Sequence, residues 1–160
     1  MCNMKFSFLL LVVLVLVPYG VQAEEATHRE HSSELEHHQH AAVFVGNTQD
    51  GSDNGFSVGV EYEYKISKVL GIGGLVEYAG GDFDSWVIAA PLFLRPYKGL
   101  LFILAPGLEF EHSEEEFLFR AGIGYVFEID GMWSITPQFN VDFVDSEEKF
   151  VYGLAFGRGF

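Results

Sequence analysis

The residues Lys149-Phe-Val-Tyr-Gly-Leu-Ala-Phe-Gly-Arg-Gly-Phe160 decide the fold of this chain. Apart from Arg158, every second residue is large and apolar: Phe150, Tyr152, Leu154, Phe156 and Phe160. The residues between them are small: Val151, Gly153, Ala155, Gly157 and Gly159. This period of two predicts a β-strand with an aromatic face and a face that carries almost no side chain. In a soluble sandwich the small face would leave a void. On the wall of a narrow barrel it leaves room for side chains of other strands, while the aromatic face meets lipid.

The composition fits the same architecture. A chain of 160 residues supports one domain. Hydrophobic residues make up 49% and aromatic residues 16% of the chain, together with 18 glycines and 23 acidic residues. This combination is unusual for a small soluble domain, but it is typical of a barrel that is apolar outside and polar inside.

The charge and the cysteine content exclude several classes of partner. A formal net charge of −14 argues against nucleic acid and against anionic lipid headgroups, and leaves cations as the natural counter-charge. The one cysteine, Cys2, lies in a segment that we expect to be removed, so that the mature chain has neither disulfide nor thiol chemistry.

The N-terminus carries two segments that precede the barrel. Residues 1–23 contain Lys5, an apolar run and a small residue, Ala23, which together predict a cleaved secretory signal peptide. Residues 24–40 are polar and predict a flexible periplasmic tail. A tail cluster could bind a divalent transition metal, but its spacing does not define a tetrahedral site, and we assign neither a metal nor a cofactor. The cluster consists of His37, His38 and His40.

From residue 41 onward, short alternating segments are separated by turn residues. They predict an all-β fold, an eight-stranded antiparallel up-and-down barrel. The predicted strands are 41–48, 54–66, 70–78, 86–96, 100–111, 117–129, 133–144 and 149–160. Most of them reach the ~9–11 residues that a tilted strand needs to cross a bilayer.

The alternation assigns the two faces of each strand. In the second strand Phe56, Val58, Val60, Tyr62 and Tyr64 predict the outer face. In the seventh strand, the residues from Trp133 to Phe143 alternate between apolar and polar in the same way. Pro137 is an exception in the backbone, because it has no N–H to donate to a neighbouring strand. The first strand is ambiguous, because Val43 and Val45 compete with Ala42 and Phe44 for the outer face.

Hairpin parity predicts three-residue turns at 97–99 and 130–132, and the segment 67–69 fits a third such turn by length only. With the tail in the periplasm, these turns are periplasmic, and four short connections near 49–53, 79–85, 112–116 and 145–148 face outward from the cell. Trp86 and Trp133 then begin their strands at opposite membrane interfaces, and Arg158 lies in the headgroup layer.

The predicted inner face is highly charged. Parity places Glu109 opposite Arg120, and the charged inner residues as a set are Glu61, Glu63, Lys65, Glu77, Arg95, Glu109, Glu111, Arg120, Glu128 and Asp142. Carboxylates outnumber cations in this set, so some of them should hold protons, water or counterions. The set predicts a structural plug, since eight strands enclose about the space that side chains fill; the alternative is a narrow cation-selective path.

Acid–base catalysis has weak support. The pairs Glu61/Glu63 and Glu109/Glu111 sit two residues apart inside a filled barrel, where no substrate cleft is predicted. Some eight-stranded outer-membrane barrels are lipid A deacylases, with His and Ser separated by one residue. Here His112 and Ser113 are adjacent and face opposite sides, within an acidic turn able at most to bind calcium weakly.

Residues 41–160 resemble the small bacterial outer-membrane β-barrel family that includes OmpA-like, OmpX-like and opacity-type proteins. The resemblance rests on the signal peptide, the eight alternating segments, the strand Thr136-Pro-Gln-Phe-Asn-Val-Asp-Phe143 and the terminal residues 153–160. It implies an outer-membrane location, contact with outer-membrane lipid, and recognition by the barrel-assembly machinery through Tyr152, Leu154, Phe156 and Phe160.

What the resemblance implies for function is an envelope-structural protein or a narrow porin-like path, without enzymatic activity. A lipid-modifying enzyme and a soluble periplasmic barrel that binds a small apolar ligand are the alternatives. The long outer loops that mediate adhesion in several family members are missing here.

Overall fold

The computed structural model describes residues 38–111, 114–145 and 147–160. The predictions for the signal peptide, for most of the tail and for the pair His112–Ser113 lie outside the described residues. The strands are β1 (Gln39–Asp50), β2 (Asp53–Lys65), β3 (Leu70–Ala79), β4 (Ser85–Ala89), β5 (Leu92–Tyr97), β6 (Leu100–Glu111), β7 (Glu114–Tyr125), β8 (Phe127–Ile129), β9 (Trp133–Val144) and β10 (Glu147–Gly159). Within these ranges, no helix has the length and apolar character needed to cross a membrane.

The strands form a closed antiparallel barrel. β1 pairs with β2 on one side and with β10 on the other, and β10 also pairs with β9, which closes the ring. β4 and β5 are two segments of one wall strand, which pairs with β3 and β6. In the same way, β7 and β8 are two segments of one wall strand, which pairs with β9. The ten segments therefore make eight strands of the barrel wall, which confirms the predicted fold.

Prolines account for the two interruptions of the wall. Between β4 and β5, Ala90 donates its N–H to Pro106 O, and Pro91 O accepts from Gly73 N–H, so the backbone stays paired although Pro91 has no N–H. Between β7 and β8, the unshifted register would place Tyr125 opposite Pro137, which has no N–H to donate. The gaps between β4 and β5 and between β7 and β8 therefore each lie inside one predicted strand and do not separate two strands of the wall.

The burial pattern confirms the predicted faces. In β2 the residues from Phe56 to Tyr64 alternate between exposed aromatic or aliphatic side chains and buried small or acidic ones. β9 and β10 alternate in the same way. In β1, Val43 and Val45 are exposed, whereas Phe44 is buried in the barrel with 1% of its surface accessible. The inward ring lies against the small face of β10, because a Cβ on Gly153 would come within 2.9 Å of Phe44 Cζ.

The two ends of the barrel differ in their connections. The end that holds Gln39 and Phe160, called here the terminal end, also holds the turns after Ile66, Tyr97 and Ile129. The opposite end, called here the acidic end, holds the connections 51–52 and 80–84 and the last pairs of two further hairpins, Glu111 with Glu114 and Val144 with Glu147. Trp86 and Trp133 are exposed at opposite ends, as predicted.

Three details of the connections differ from the prediction or refine it. The turn at 130–132 has the predicted length. The turn predicted at 97–99 is shorter, because a bulge between Leu94 and Tyr97 leaves only Lys98 and Gly99 in it, with Gly99 at a φ of 76°. Gln39 and His40, assigned to the tail, are strand residues. The predicted loop 112–116 is wrong, because Glu111 already pairs with Glu114.

Candidate functional site: the charged barrel interior

Arg120 is the centre of the interior. It lies on the inner face of β7 and is 1% exposed. Its Nη1 and Nη2 donate to Glu77 Oε2 and Oε1 at 2.7 and 3.1 Å, and its Nε and Nη2 donate to Asp142 Oδ1 and Oδ2 at 2.6 and 2.7 Å. Asp142 is the cross-strand neighbour on β9, whereas Glu77 reaches from β3 on the other side of the lumen. The bidentate ion pair with Glu77 therefore bridges the lumen at this level, and the bidentate pair with Asp142 joins two neighbouring strands of the wall.

A second bridge lies closer to the acidic end. Lys149 Nζ on β10 donates to both Glu109 oxygens at 3.0 Å and to Glu111 Oε2 at 3.1 Å, both on β6. The ammonium also lies 5.4 Å from the ring centroid of Phe83, which turns inward from the connection 80–84 and is buried. The ring and the ion pair together cover the lumen at this end.

Lys149 is the interior cation that the sequence prediction missed. It precedes Val151 by two positions, so the same period of two that put Val151 inward also puts Lys149 inward. The predicted neighbours Glu109 and Arg120 are not neighbours: Glu109 lies opposite Glu116, and Arg120 lies opposite Ala105. That prediction was wrong because parity fixes the face of each residue but not the register of the hairpin, and here the register is shifted by the shorter turn.

A third group of contacts lies towards the terminal end. Arg95 pairs with Glu63 through both guanidinium nitrogens, with Nη2 2.6 Å from Glu63 Oε2. His40 Nε2 lies 2.9 Å from Ser134 Oγ, which joins β1 to β9. Lys65 is half-buried, and Glu128 lies opposite Ser134 but is exposed at the end of the wall. Of the predicted set, Glu128 is thus outside the buried network.

Glu61 is the buried carboxylate with the weakest partner. Its Oε2 accepts from Gln138 Nε2 at 3.2 Å, so its hydrogen-bond partner is uncharged. Beside it on β9, both side-chain atoms of Asn140 and Gln138 Oε1 have no hydrogen-bond partner among the described residues. Buried polar atoms of this kind are usually satisfied by internal water. This part of the lumen is therefore polar but not bridged by charge.

Together these contacts connect strands that lie across the lumen from one another. They join β3 to β7, β6 to β10 and β2 to β9, none of which are adjacent in the wall. Within the described ranges, no group of three His, Cys, Asp or Glu side chains is arranged to hold a metal ion. The described open cleft, of about 790 Å³, lies at the acidic end beside β7 and not on the barrel axis.

Known structures share this architecture. The barrel domain of OprF from Pseudomonas aeruginosa superposes with a TM-score of 0.60 at 10% identity, over 77% of this chain and 98% of that chain. The fold is that of the small outer-membrane β-barrels. Neisserial surface protein A gives a TM-score of 0.58 at 11% identity, over 76% of this chain and 96% of its own. Ail from Yersinia pestis, solved with the heparin analogue sucrose octasulfate, gives 0.56 at 12% identity, over 76% and 97%.

In sequence, no protein-family model and no curated protein matches this chain. At identities this low, the structural likeness establishes the outer-membrane barrel fold and leaves the function to be argued from the residues of this chain.

Proposed function

We propose that this protein is an integral outer-membrane barrel that contributes to envelope structure, does no catalysis, and closes its lumen with its own side chains. The observation that carries the proposal is Arg120, which is fully buried and bonded to Glu77 across the lumen and to Asp142 beside it. A conducting path would need these side chains to be hydrated and apart. The bridges therefore favour the plug over the narrow cation-selective path.

The outer surface supports a membrane location. Large apolar side chains are exposed around the wall, and aromatic clusters mark both ends: Tyr78 packs against Trp86 at 5.0 Å, and Tyr125 packs against Phe127 at 4.8 Å between ring centroids. Arg158 lies over Trp133 at 5.3 Å, where a cation at the interface is expected. In water this surface would be one large apolar patch, whereas in a bilayer it meets lipid.

The two alternatives have less support. A soluble ligand-binding barrel needs an apolar interior, and this interior contains Arg120, Lys149 and Glu61. A lipid-modifying enzyme needs a base and a nucleophile on the lipid-facing side, and His112 and Ser113 lie outside the described residues. Among the described residues, the buried carboxylates are bonded inside the lumen, where lipid has no access.

Conductance tests the closed lumen directly. Refolded wild-type protein in planar bilayers should give no steady channel, and the double variant Arg120→Ala/Lys149→Ala, which removes two of the bridges, should conduct cations. Stable channels from the wild-type protein would show that the lumen is open and would overturn the plug.

Location and activity have separate tests. Protein made in a Gram-negative host should fractionate with the outer membrane and need detergent for extraction; recovery in the soluble periplasm would contradict the proposal. Mass spectra of lipid A should be the same with and without expression, and a mass change that depends on His112 and Ser113 would favour the enzyme.

A further inference from the structure

One strand edge of the barrel is left uncovered at the acidic end. β7 pairs with β6 along its whole length, from Glu114 to Tyr125, but its pairing with β9 begins only at Leu118, opposite Val144. Residues 114–117 therefore extend beyond the wall with β6 on one side and no described strand on the other. All four are exposed.

The direction of the backbone groups on this edge follows from the register. Val126 donates its N–H to Gly99 O, and the register between β6 and β7 is unshifted from there to Glu114. Because hydrogen-bonded pairs recur every second residue, the even-numbered residues of β7 bond to β6. Glu115 and Phe117 then direct their N–H and C=O groups to the open side. An open edge of this kind is a template for one more strand.

The edge is left open because the neighbouring strand ends. β9 stops at Val144, where the chain turns back and Glu147 of β10 pairs with Val144. The two hairpins separate here, and the space between them is the cleft of about 790 Å³.

The cleft combines two kinds of surface. Its base is aromatic, formed by Phe117, Phe119 and Phe143. Its walls are acidic and are formed by Glu115, Glu116, Asp145, Glu147 and Glu148. No lysine or arginine is among the described residues that line the cleft. A ligand that fits must therefore offer apolar side chains, several positive charges and, for the open edge, an extended backbone.

We propose that this cleft binds a cationic amphipathic peptide as an added strand along residues 114–117 of β7. Alternating basic and apolar side chains would place apolar groups on the outer face, against Phe117 and the rest of the aromatic base, and cations on the inner face, beside Glu116 and Glu147. The other candidates match less well. A second copy of this chain would bring the same carboxylates against each other, and lipid phosphates are repelled by the acidic walls.

Peptide binding to the refolded full chain tests the proposal. The protein is held in nanodiscs of zwitterionic phosphatidylcholine, and the probe is a fluorescein-labelled peptide of four Lys-Val repeats, read by anisotropy. We expect saturable binding that becomes about tenfold weaker in Glu115→Gln/Glu147→Gln/Glu148→Gln, which loses three charges of the cleft. The matched control Asp50→Asn/Asp53→Asn/Asp82→Asn removes three charges from the opposite side of the same end and should change the affinity less than twofold.

Amide hydrogen exchange tests the strand addition separately. On peptide binding, exchange of the Glu115 and Phe117 amides should slow markedly, while the Glu114 and Glu116 amides, already bonded to β6, should change little. Four results would each overturn the proposal: equal weakening in both triple variants, no added protection at Glu115 and Phe117, equal binding of a Thr-Val repeat peptide, or a dimer by light scattering that persists with peptide in excess.

Discussion

At the scale of single residues, Arg120 shows how a charged interior is kept in a lipid-facing barrel. Its guanidinium has planar donors that match two carboxylates, and both Glu77 and Asp142 are bidentate partners. Desolvation opposes the burial of all three groups, so the ion pairs are specific without being strongly stabilising in net terms. What is strongly unfavourable is to remove one partner and leave the others.

This asymmetry predicts a result for Arg120. Arg120→Met should lower the free energy of unfolding by about 3 kcal/mol, because it leaves Glu77 and Asp142 buried without their cation. Adding Glu77→Gln and Asp142→Asn to the same variant should recover most of the loss. Urea unfolding in detergent micelles gives the free energy of unfolding of the wild-type protein, of Arg120→Met and of the triple variant. A triple variant less stable than Arg120→Met would mean that the ion pairs are net stabilising.

Glycines at the β1–β10 seam predict a second residue-level effect. A Cβ on Gly153 would lie 2.3 Å from Val45 O and 2.5 Å from Gly46 Cα, so Gly153→Ala should destabilise the barrel by about 2 kcal/mol. Gly74 is the matched control, since a Cβ there meets nothing within 4 Å and the residue is exposed. Gly74→Ala should change the thermal midpoint little or raise it. Equal effects of the two substitutions would contradict the packing at the seam.

At the scale of strands and hairpins, the sequence predicted the faces better than the contacts. Period two is a local property, and it placed Glu61, Glu77 and Asp142 inward as found. The partners of those residues depend on register and on closure of the ring, neither of which is local. The predicted partner of Glu109, Arg120, and its observed partner, Glu116, are four residues apart on β7, and an even shift keeps the parity, so the β6–β7 faces were right although the partner was wrong.

The last strand carries the prediction for assembly. Phe160 is exposed on the same face as Tyr152, Leu154 and Phe156, as the resemblance to outer-membrane barrels requires of an assembly signal. Deleting Phe160 should slow insertion and leave degraded or periplasmic protein. Arg158→Phe should be tolerated, because it keeps an apolar contact with Trp133 at the interface. Normal levels of heat-modifiable barrel after the Phe160 deletion would contradict an essential signal.

At the scale of the whole molecule, the formal charge of −14 hides a separation of charge along the barrel. The acidic end has carboxylates in its connections and at the adjoining strand ends, such as Asp50, Asp82, Glu115 and Asp145. The terminal end carries the cations Lys65, Lys68, Arg95, Lys98 and Arg158, which outnumber its carboxylates, Glu63, Glu128 and Asp130. The charge therefore disfavours anionic headgroups at the acidic end only, since the terminal end offers exposed cations near an aromatic belt.

Orientation across the membrane gives a prediction for the whole molecule. The one cysteine of the sequence lies in the predicted signal peptide, so single cysteines can be introduced into an otherwise thiol-free mature chain. Ser52→Cys, at the acidic end, should react with an impermeant maleimide on intact cells. Lys98→Cys, at the terminal end, should react only after the outer membrane is broken. The reverse pattern would place the tail outside the cell.

The bridges across the lumen also have a mechanical consequence. They act as chords of a circular cross-section, and because they run from β3 to β7, from β6 to β10 and from β2 to β9, they resist flattening along more than one diameter. An empty tube of the same wall would be free to become elliptical under lateral pressure. This barrel should behave as a stiff cylinder, so that a bilayer of unmatched thickness has to bend its own lipids around the protein.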